Sequence, residues 1–325
     1  RSRHLPILAW AGLAAIPPVC LIIGVLAMRR MPVARLSDPT PPWALPGMAM
    51  TERLAAIQRE TVAAPLNNRF ANIEKADFLL ASRPPGDIAK RQDYELKLAF
   101  NLLYAGRSQE AIDRFRSIES GLSTAHRQAP LLLEDVRMLL GMAWLRLGEQ
   151  TNCIQRHTAD ACLLPIRGQG VHTDLYGSQQ AMAMYIEVLK ANPANLTARW
   201  MLNLAAMTLG RYPEAVPPSL LIPERLFAAD YDIGRFADVA ADRGLDVFGN
   251  AGGSVMDDFD GDGELDVVIS SQALTGQLRY FRNDGSGRFT ERTREAGLLG
   301  QLGGLNANQA DYDNDGHLDL LVLRG

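Results

Sequence analysis

The chain has 325 residues with 47% hydrophobic and 22% charged side chains, a composition of ordinary globular type and long enough for two or three domains. Its formal net charge of −4 owes much to acids clustered near the C-terminus. No basic stripe with interleaved aromatics occurs, so no nucleic-acid partner is expected.

Residues 5–28 run 24 positions without a charge, between Arg1, Arg3 and His4 on one side and Arg29, Arg30 and Arg35 on the other. As a helix this run reaches about 36 Å, enough for a bilayer core of ~30 Å, with a kink or break at Pro17-Pro18. A cleaved signal peptide is the rival reading. The run exceeds a usual signal core and no small-x-small cleavage site precedes Arg29, which favours a retained membrane anchor over 1–30. Arginines on both sides leave its orientation open. Cys20 falls in the span and reads as a packing residue. Pro32, Pro39, Pro41, Pro42 and Pro46 make 31–49 an extended linker.

From 50 to 225 the pattern turns helical. In Leu102-Leu-Tyr-Ala-Gly106-Arg-Ser-Gln-Glu-Ala111-Ile-Asp-Arg-Phe115, a turn glycine precedes a small residue and then an aromatic at fixed offsets. The spacing recurs in Gly210 to Ala215, and in Gly148 to Cys153 with Cys at the small position; Ala181, Tyr185 and Pro193 fit the second helix of another unit. These offsets resemble the tetratricopeptide repeat, which implies a stacked α-solenoid presenting a groove to protein partners. An unrelated helical bundle is the alternative. Trp144, Tyr185, Trp200, Met182, Met184, Met201 and Met207 read as core at helical spacing, with a groove lining as the other option. Asn195-Leu-Thr197 matches a glycosylation sequon, but after Pro193 it reads as a helix cap.

Cys153, His157, Cys162 and His172 gather after Gly148. A Cys153–Cys162 disulfide, free thiols, and a Zn²⁺ or cofactor site are all open, although no C-x-x-C spacing or C-x-x-C-H haem motif occurs. Neither a G-x-S-x-G elbow, nor H-E-x-x-H, nor a phosphate loop ending in Gly-Lys-Ser/Thr is present, so no catalysis and no small-molecule substrate are expected.

The C-terminal part carries an acidic loop twice: Asp258-Phe-Asp260-Gly261-Asp262-Gly263-Glu264-Leu265-Asp266 and Asp311-Tyr-Asp313-Asn314-Asp315-Gly316-His317-Leu318-Asp319. Carboxylates at positions 1, 3, 5 and 9 of a tight turn repel one another unless a cation sits among them, and an oxygen-only set points to Ca²⁺. A bare Asp/Gly turn is the alternative. Position 12 is Ile269 or Val322 instead of a bidentate Glu, which excludes an EF-hand. Position 7 changes from Glu264 to His317, so its ligand is assigned to the backbone carbonyl.

A shift of 53 residues superposes the two loops and also aligns Gly234-Arg235-Phe236 with Gly287-Arg288-Phe289 and Gly244 with Gly297. Strands are predicted around 253–256, 265–270, 278–282 and 288–293, four short strands per unit, as in a propeller blade. The glycines of Gly300-Gln-Leu-Gly303-Gly304 read as scaffold.

Phe248-Gly249, Gly252, Gly253 and the two loops resemble the FG-GAP/VCBS repeat proteins, such as integrin α-subunit propellers and bacterial relatives of cartilage acidic protein. The resemblance covers roughly 230–325. It implies one Ca²⁺ in each loop, held by Asp258, Asp260, Asp262 and Asp266 and by Asp311, Asp313, Asp315 and Asp319. Propellers close with about four to eight blades, so the expectation for 226–325 is a partial propeller within a longer protein. The expected fold is multidomain α plus β: a transmembrane helix, a tetratricopeptide-like α-solenoid and a partial β-propeller of FG-GAP/VCBS blades. Calcium loops and paired cysteines suit a calcium-rich, oxidising compartment, hence a single-pass protein of a bacterial inner membrane with its bulk in the periplasm. The leading functional expectation is a membrane-anchored, non-enzymatic interaction or scaffold protein whose partners are proteins of a membrane complex. An accessory subunit of a respiratory or photosynthetic assembly is the second, because a kinked span needs protein neighbours. A metal or redox protein built on Cys153, His157, Cys162 and His172 is the third.

Overall fold

A computed structural model describes residues 49–124, 130–154, 158, 160–161, 163–228, 230–231, 234, 237–247 and 249–324. The expected membrane span, the linker, Cys20, His157, Cys162 and Phe248 lie outside these residues. Among the described residues, no helix is long and apolar enough to cross a membrane.

The first architecture is helical: α1 Met50–Ala63, α2 Asn72–Ala81, α3 Ile88–Tyr104, α4 Ser108–Thr124, α5 Pro130–Cys153, α6 Tyr176–Ala191 and α7 Leu196–Thr208. From α2 onward each helix packs against the next in sequence, so the region grows by successive hairpins. Ion pairs from Arg114 to Glu95 (3.0 Å) and from Arg137 to Glu119 (2.8 Å) bridge neighbouring helices on either side of a turn, as antiparallel pairing requires. Apolar side chains at helical spacing build one continuous core. Leu98 and Leu102 of α3 meet Ala111, Ile112 and Phe115 of α4, and Val136, Leu140 and Trp144 of α5 carry the core on to Tyr185 and Leu202. Trp144, Tyr185 and Met207 are buried, the core reading, whereas Trp200 is exposed.

Caps set the helix ends. The Asp87 carboxylate accepts the Lys90 N–H (2.9 Å) at the start of α3, and Asn195 accepts the Ala198 N–H (2.8 Å) at the start of α7, as a cap should. Gly106 and Gly210, both at positive φ, close α3 and α7 with the same paired bonds. The next residue's N–H reaches back to Leu102 O in one case and to Ala206 O in the other (both 2.9 Å).

Two of the repeat-like spacings come out differently. Gly148 marks no turn: it lies inside α5, where Gly177 of α6 comes against it. A Cβ on Gly177 would stand 2.8 Å from Gly148 N and 2.6 Å from Trp144 O, so the two helices cross backbone against backbone. Directly after Gly210 no α-helix follows, and residues 211–223 are turns and irregular backbone. Pro217 and Pro218, which would fall in the second turn of such a helix, remove two backbone donors there.

The second architecture is β. A short helix α8 (Ala240–Arg243) precedes β1 (Ala251–Asp257), β2 (Asp266–Ser271), β3 (Arg279–Asn283) and β4 (Phe289–Glu291), an antiparallel meander in the order β1-β2-β3-β4. Its four strands fall where the sequence predicts them. A second sheet, β5 (Asn306–Ala310) with β6 (Asp319–Leu323), repeats the first hairpin. Asp257 pairs with Asp266 and Ala310 with Asp319; Met256 pairs with Val267 and Gln309 with Leu320. From Ala307↔Val322 to Ala310↔Asp319, four of the five pairs of the second hairpin are thus those of the first displaced by 53 residues. The sheets meet over a small core of Val255, Val268, Leu278, Tyr280 and Ala307. The glycines of β1 permit this contact: a Cβ on Gly252 would lie 2.4 Å from Gly304 O, and one on Gly253 would lie 2.5 Å from Ala307 N. Ser270 Oγ accepts the Gly253 N–H (2.8 Å) and donates to Gly304 O (3.1 Å), tying the units together.

Candidate metal centre

The loops between β1 and β2 and between β5 and β6 have one backbone design. In the first, Asp258 Oδ1 accepts the N–H of Gly261 (2.8 Å) and of Asp262 (3.0 Å), while its Oδ2 accepts that of Gly263 (2.9 Å). In the second, Asp311 accepts the N–H of Asp315 (3.1 Å) and of Gly316 (3.0 Å). Asp262 and Asp315 each receive the N–H two residues ahead, from Glu264 and His317 respectively, at 2.9 Å. The first carboxylate thus winds the loop around itself, which brings the next two to the same side. Gly261 has φ +75°, and at the equivalent place Asn314 has φ +60°, the one non-glycine in the left-handed region among the described residues. Asn tolerates that conformation better than most side chains, so the second loop keeps the turn without a glycine there.

The outcome is two clusters, Asp258, Asp260 and Asp262, and Asp311, Asp313 and Asp315, with one carboxylate oxygen from each residue inside a 4.8 Å set. Such all-oxygen clusters can hold a hard metal ion, with backbone carbonyls or water completing its shell. Glu264 and His317 both point into solvent, which fits a position whose side chain does not matter.

Asp266 and Asp319, expected as fourth ligands, do not join the clusters. Asp266 is completely buried; its Oδ2 accepts the Tyr280 hydroxyl (2.7 Å) and its Oδ1 the Asn283 N–H (2.8 Å). Burial, and then this bond to a carboxylate, push the Tyr280 phenol up from its ordinary range. Asp266 therefore fastens β2 to β3. Asp319 is exposed and accepts the Tyr312 N–H (2.9 Å).

Arg282 of β3 is a participant that local spacing does not reveal. Its guanidinium bonds Asp260 through Nε and Asp262 through Nη2 (2.7 Å). That bond holds the Asp260 carboxyl below the usual range and raises Arg282 in return. The first loop thus has an internal counter-charge from a strand 20 residues away.

An FG-GAP-like repeat family matches residues 258–322. The match runs from the first aspartate of the first loop into the strand after the second, so it takes in both clusters and strands β2 to β5, and begins just after β1. No curated protein and no solved structure matches the chain.

Of the other constellation, Cys153 and His172 line one cavity of about 400 Å³ with Asn152 and Gly170. His172 is committed to structure: its Nδ1 pairs with Ser178 Oγ (2.9 Å), its main-chain N–H donates to Thr208 O (2.9 Å), and burial lowers its pKa. With His157 and Cys162 outside the described residues, neither the expected disulfide nor a four-ligand set is described.

Proposed function

We propose that this chain is a membrane-anchored, extracytoplasmic interaction protein in which two structural Ca²⁺ ions stiffen the C-terminal repeats and no catalysis takes place. The observation that carries the reading is the duplicated loop: two carboxylate clusters, 53 residues apart, wound by equivalent backbone hydrogen bonds. Hard oxygen donors and the absence of nitrogen or sulfur from either cluster favour Ca²⁺ over zinc or iron. Bound there, the ion supplies positive charge and a rigid turn. Asp258, Asp260 and Asp262 hold one ion and Asp311, Asp313 and Asp315 the other.

In this proposal the β region is part of a propeller, with β1 to β4 as one blade and β5 and β6 as the inner half of the next. The hairpins from α2 to α7 form a tetratricopeptide-like solenoid for a protein partner. Residues 5–28 supply a single span in a bacterial inner membrane, with the repeats in the periplasm. The helix-by-helix packing and the meander support the two architectures; the uncharged run supports the anchor.

Calorimetry with and without EGTA tests the metal role. An ion present at a thousandfold above its dissociation constant adds about 4 kcal/mol, so chelation is expected to lower the β transition and leave the helical one in place. Identical thermograms, together with no calcium in the purified protein, would remove the proposal.

A further inference from the structure

Arg282 brings a fixed positive charge to the first cluster from strand β3. All six carboxylate oxygens of Asp258, Asp260 and Asp262 accept a hydrogen bond, and the division is regular. Both oxygens of Asp258 take main-chain N–H groups of the loop. Asp260 and Asp262 each give Oδ1 to a main-chain N–H, from Asp262 (3.3 Å) and Glu264 (2.9 Å) respectively, and Oδ2 to the guanidinium. The backbone of the loop therefore uses one oxygen of each and Arg282 the other. Strand β3 sets the arginine there. Tyr280 and Arg282 lie two residues apart and share a face of the strand, and the strand is tied to the end of the same loop by the Tyr280 hydroxyl (2.7 Å) and the Asn283 N–H (2.8 Å) on Asp266. The arginine side chain is still 46% exposed, so it can turn into water without disturbing the sheet.

On the reading of this cluster as a calcium site, we infer that Arg282 is an internal rival of the ion: its guanidinium bridges Asp260 and Asp262 at low calcium and releases at least one of them when Ca²⁺ enters. At low calcium the arginine offsets the repulsion among the three carboxylates, so the loop keeps its shape. At higher calcium a half-exposed ion pair is a weak competitor for a divalent ion, so it lowers the affinity without preventing binding. Arg282 thus sets the calcium concentration at which the first site fills, and it makes the stability of the first sheet less dependent on the ion. A purely structural arginine predicts the opposite sign. By holding two ligands in place it would strengthen calcium binding, and its loss would weaken it.

Calorimetric titration of Ca²⁺ into the full chain carrying Asp311→Asn and Asp315→Asn, which leaves the first cluster as the site read, tests this. Arg282→Ala in that background is expected to tighten the dissociation constant about tenfold, because a unit positive charge beside the ion is removed. Arg282→Lys, which keeps the charge and loses the two-pronged geometry, is expected to fall between the two. In EGTA the β transition of Arg282→Ala is expected to melt below that of the parent, so that saturating Ca²⁺ raises it by more than it raises the parent. Should the alanine variant lose the sheet, Arg282→Met, neutral and of similar length, gives the same comparison. Equal or weaker calcium binding in the neutral variants, or a calcium-induced shift no larger than that of the parent, would overturn the inference and leave the calcium site standing. No calcium binding in parent and variants alike would overturn both.

Discussion

Between α3 and α7 the buried side chains are apolar and continuous: Leu98, Leu102, Ile112, Phe115, Val136, Leu140 and Leu202 touch without interruption. Beneath the β sheets the corresponding set is short, and beside it lie six carboxylates in two tight clusters. The helical region gains its stability from removing hydrocarbon from water, which asks for no ligand. The β region gathers like charge at its corners, which favours the folded state only when a counter-charge is present. On the proposed function, one chain therefore holds a part indifferent to divalent ions and a part tied to them.

This contrast can be broken from the helical side first. Phe115→Ala is expected to cost about 3–5 kcal/mol, because an aromatic fully enclosed in the core leaves a cavity. A urea titration followed by helical circular dichroism should show the loss, with calcium content unchanged. From the β side, Gly253→Val drives a side chain into the backbone of β5, where even a Cβ would be 2.5 Å from Ala307 N. It is expected to cost about 1–3 kcal/mol, read as a lower β transition with the helical one unmoved.

The smallest expected effect is electrostatic and sits in the helices. Burial, and then Glu134, raise the Asp135 pKa to about 6. A carboxyl raised above its unfolded value of 3.8 contributes stability below about pH 4, and that stability is lost as pH rises through 6. The full shift corresponds to about 3 kcal/mol, and the partial exposure of this side chain reduces the expectation to about 1 kcal/mol. Asp135→Asn should therefore be more stable than the parent at pH 7 and similar to it at pH 4, measured as the difference between their denaturation midpoints.

The same two regions differ in how far the sequence discloses them. The β strands are legible because alternation and turn residues are local signals. The loop geometry is legible because it occurs twice, so Asn314 at the place of Gly261 confirms a register that one copy would leave open. The place of Asp266 outside the cluster is not legible, because the groups that bond it, Tyr280 and Asn283, arrive from another strand. Arg282 is hidden for the same reason. In the helices, Gly106 and Gly210 are legible as helix ends. Gly148 is not, since a glycine inside a helix and one at a turn look alike until Gly177 is found against it. Equal spacing after Gly106 and Gly210 gives a helix only in the first case, because Pro217 and Pro218 withdraw donors from what would be the second turn of the other.

Equilibrium dialysis against radiolabelled calcium tests the central claim most directly, because it counts ions. The two clusters predict two Ca²⁺ per chain, falling to one when Asp311→Asn and Asp315→Asn are combined, with the helical transition unchanged. No bound calcium in the parent protein, or an undiminished count in the double variant, would contradict it.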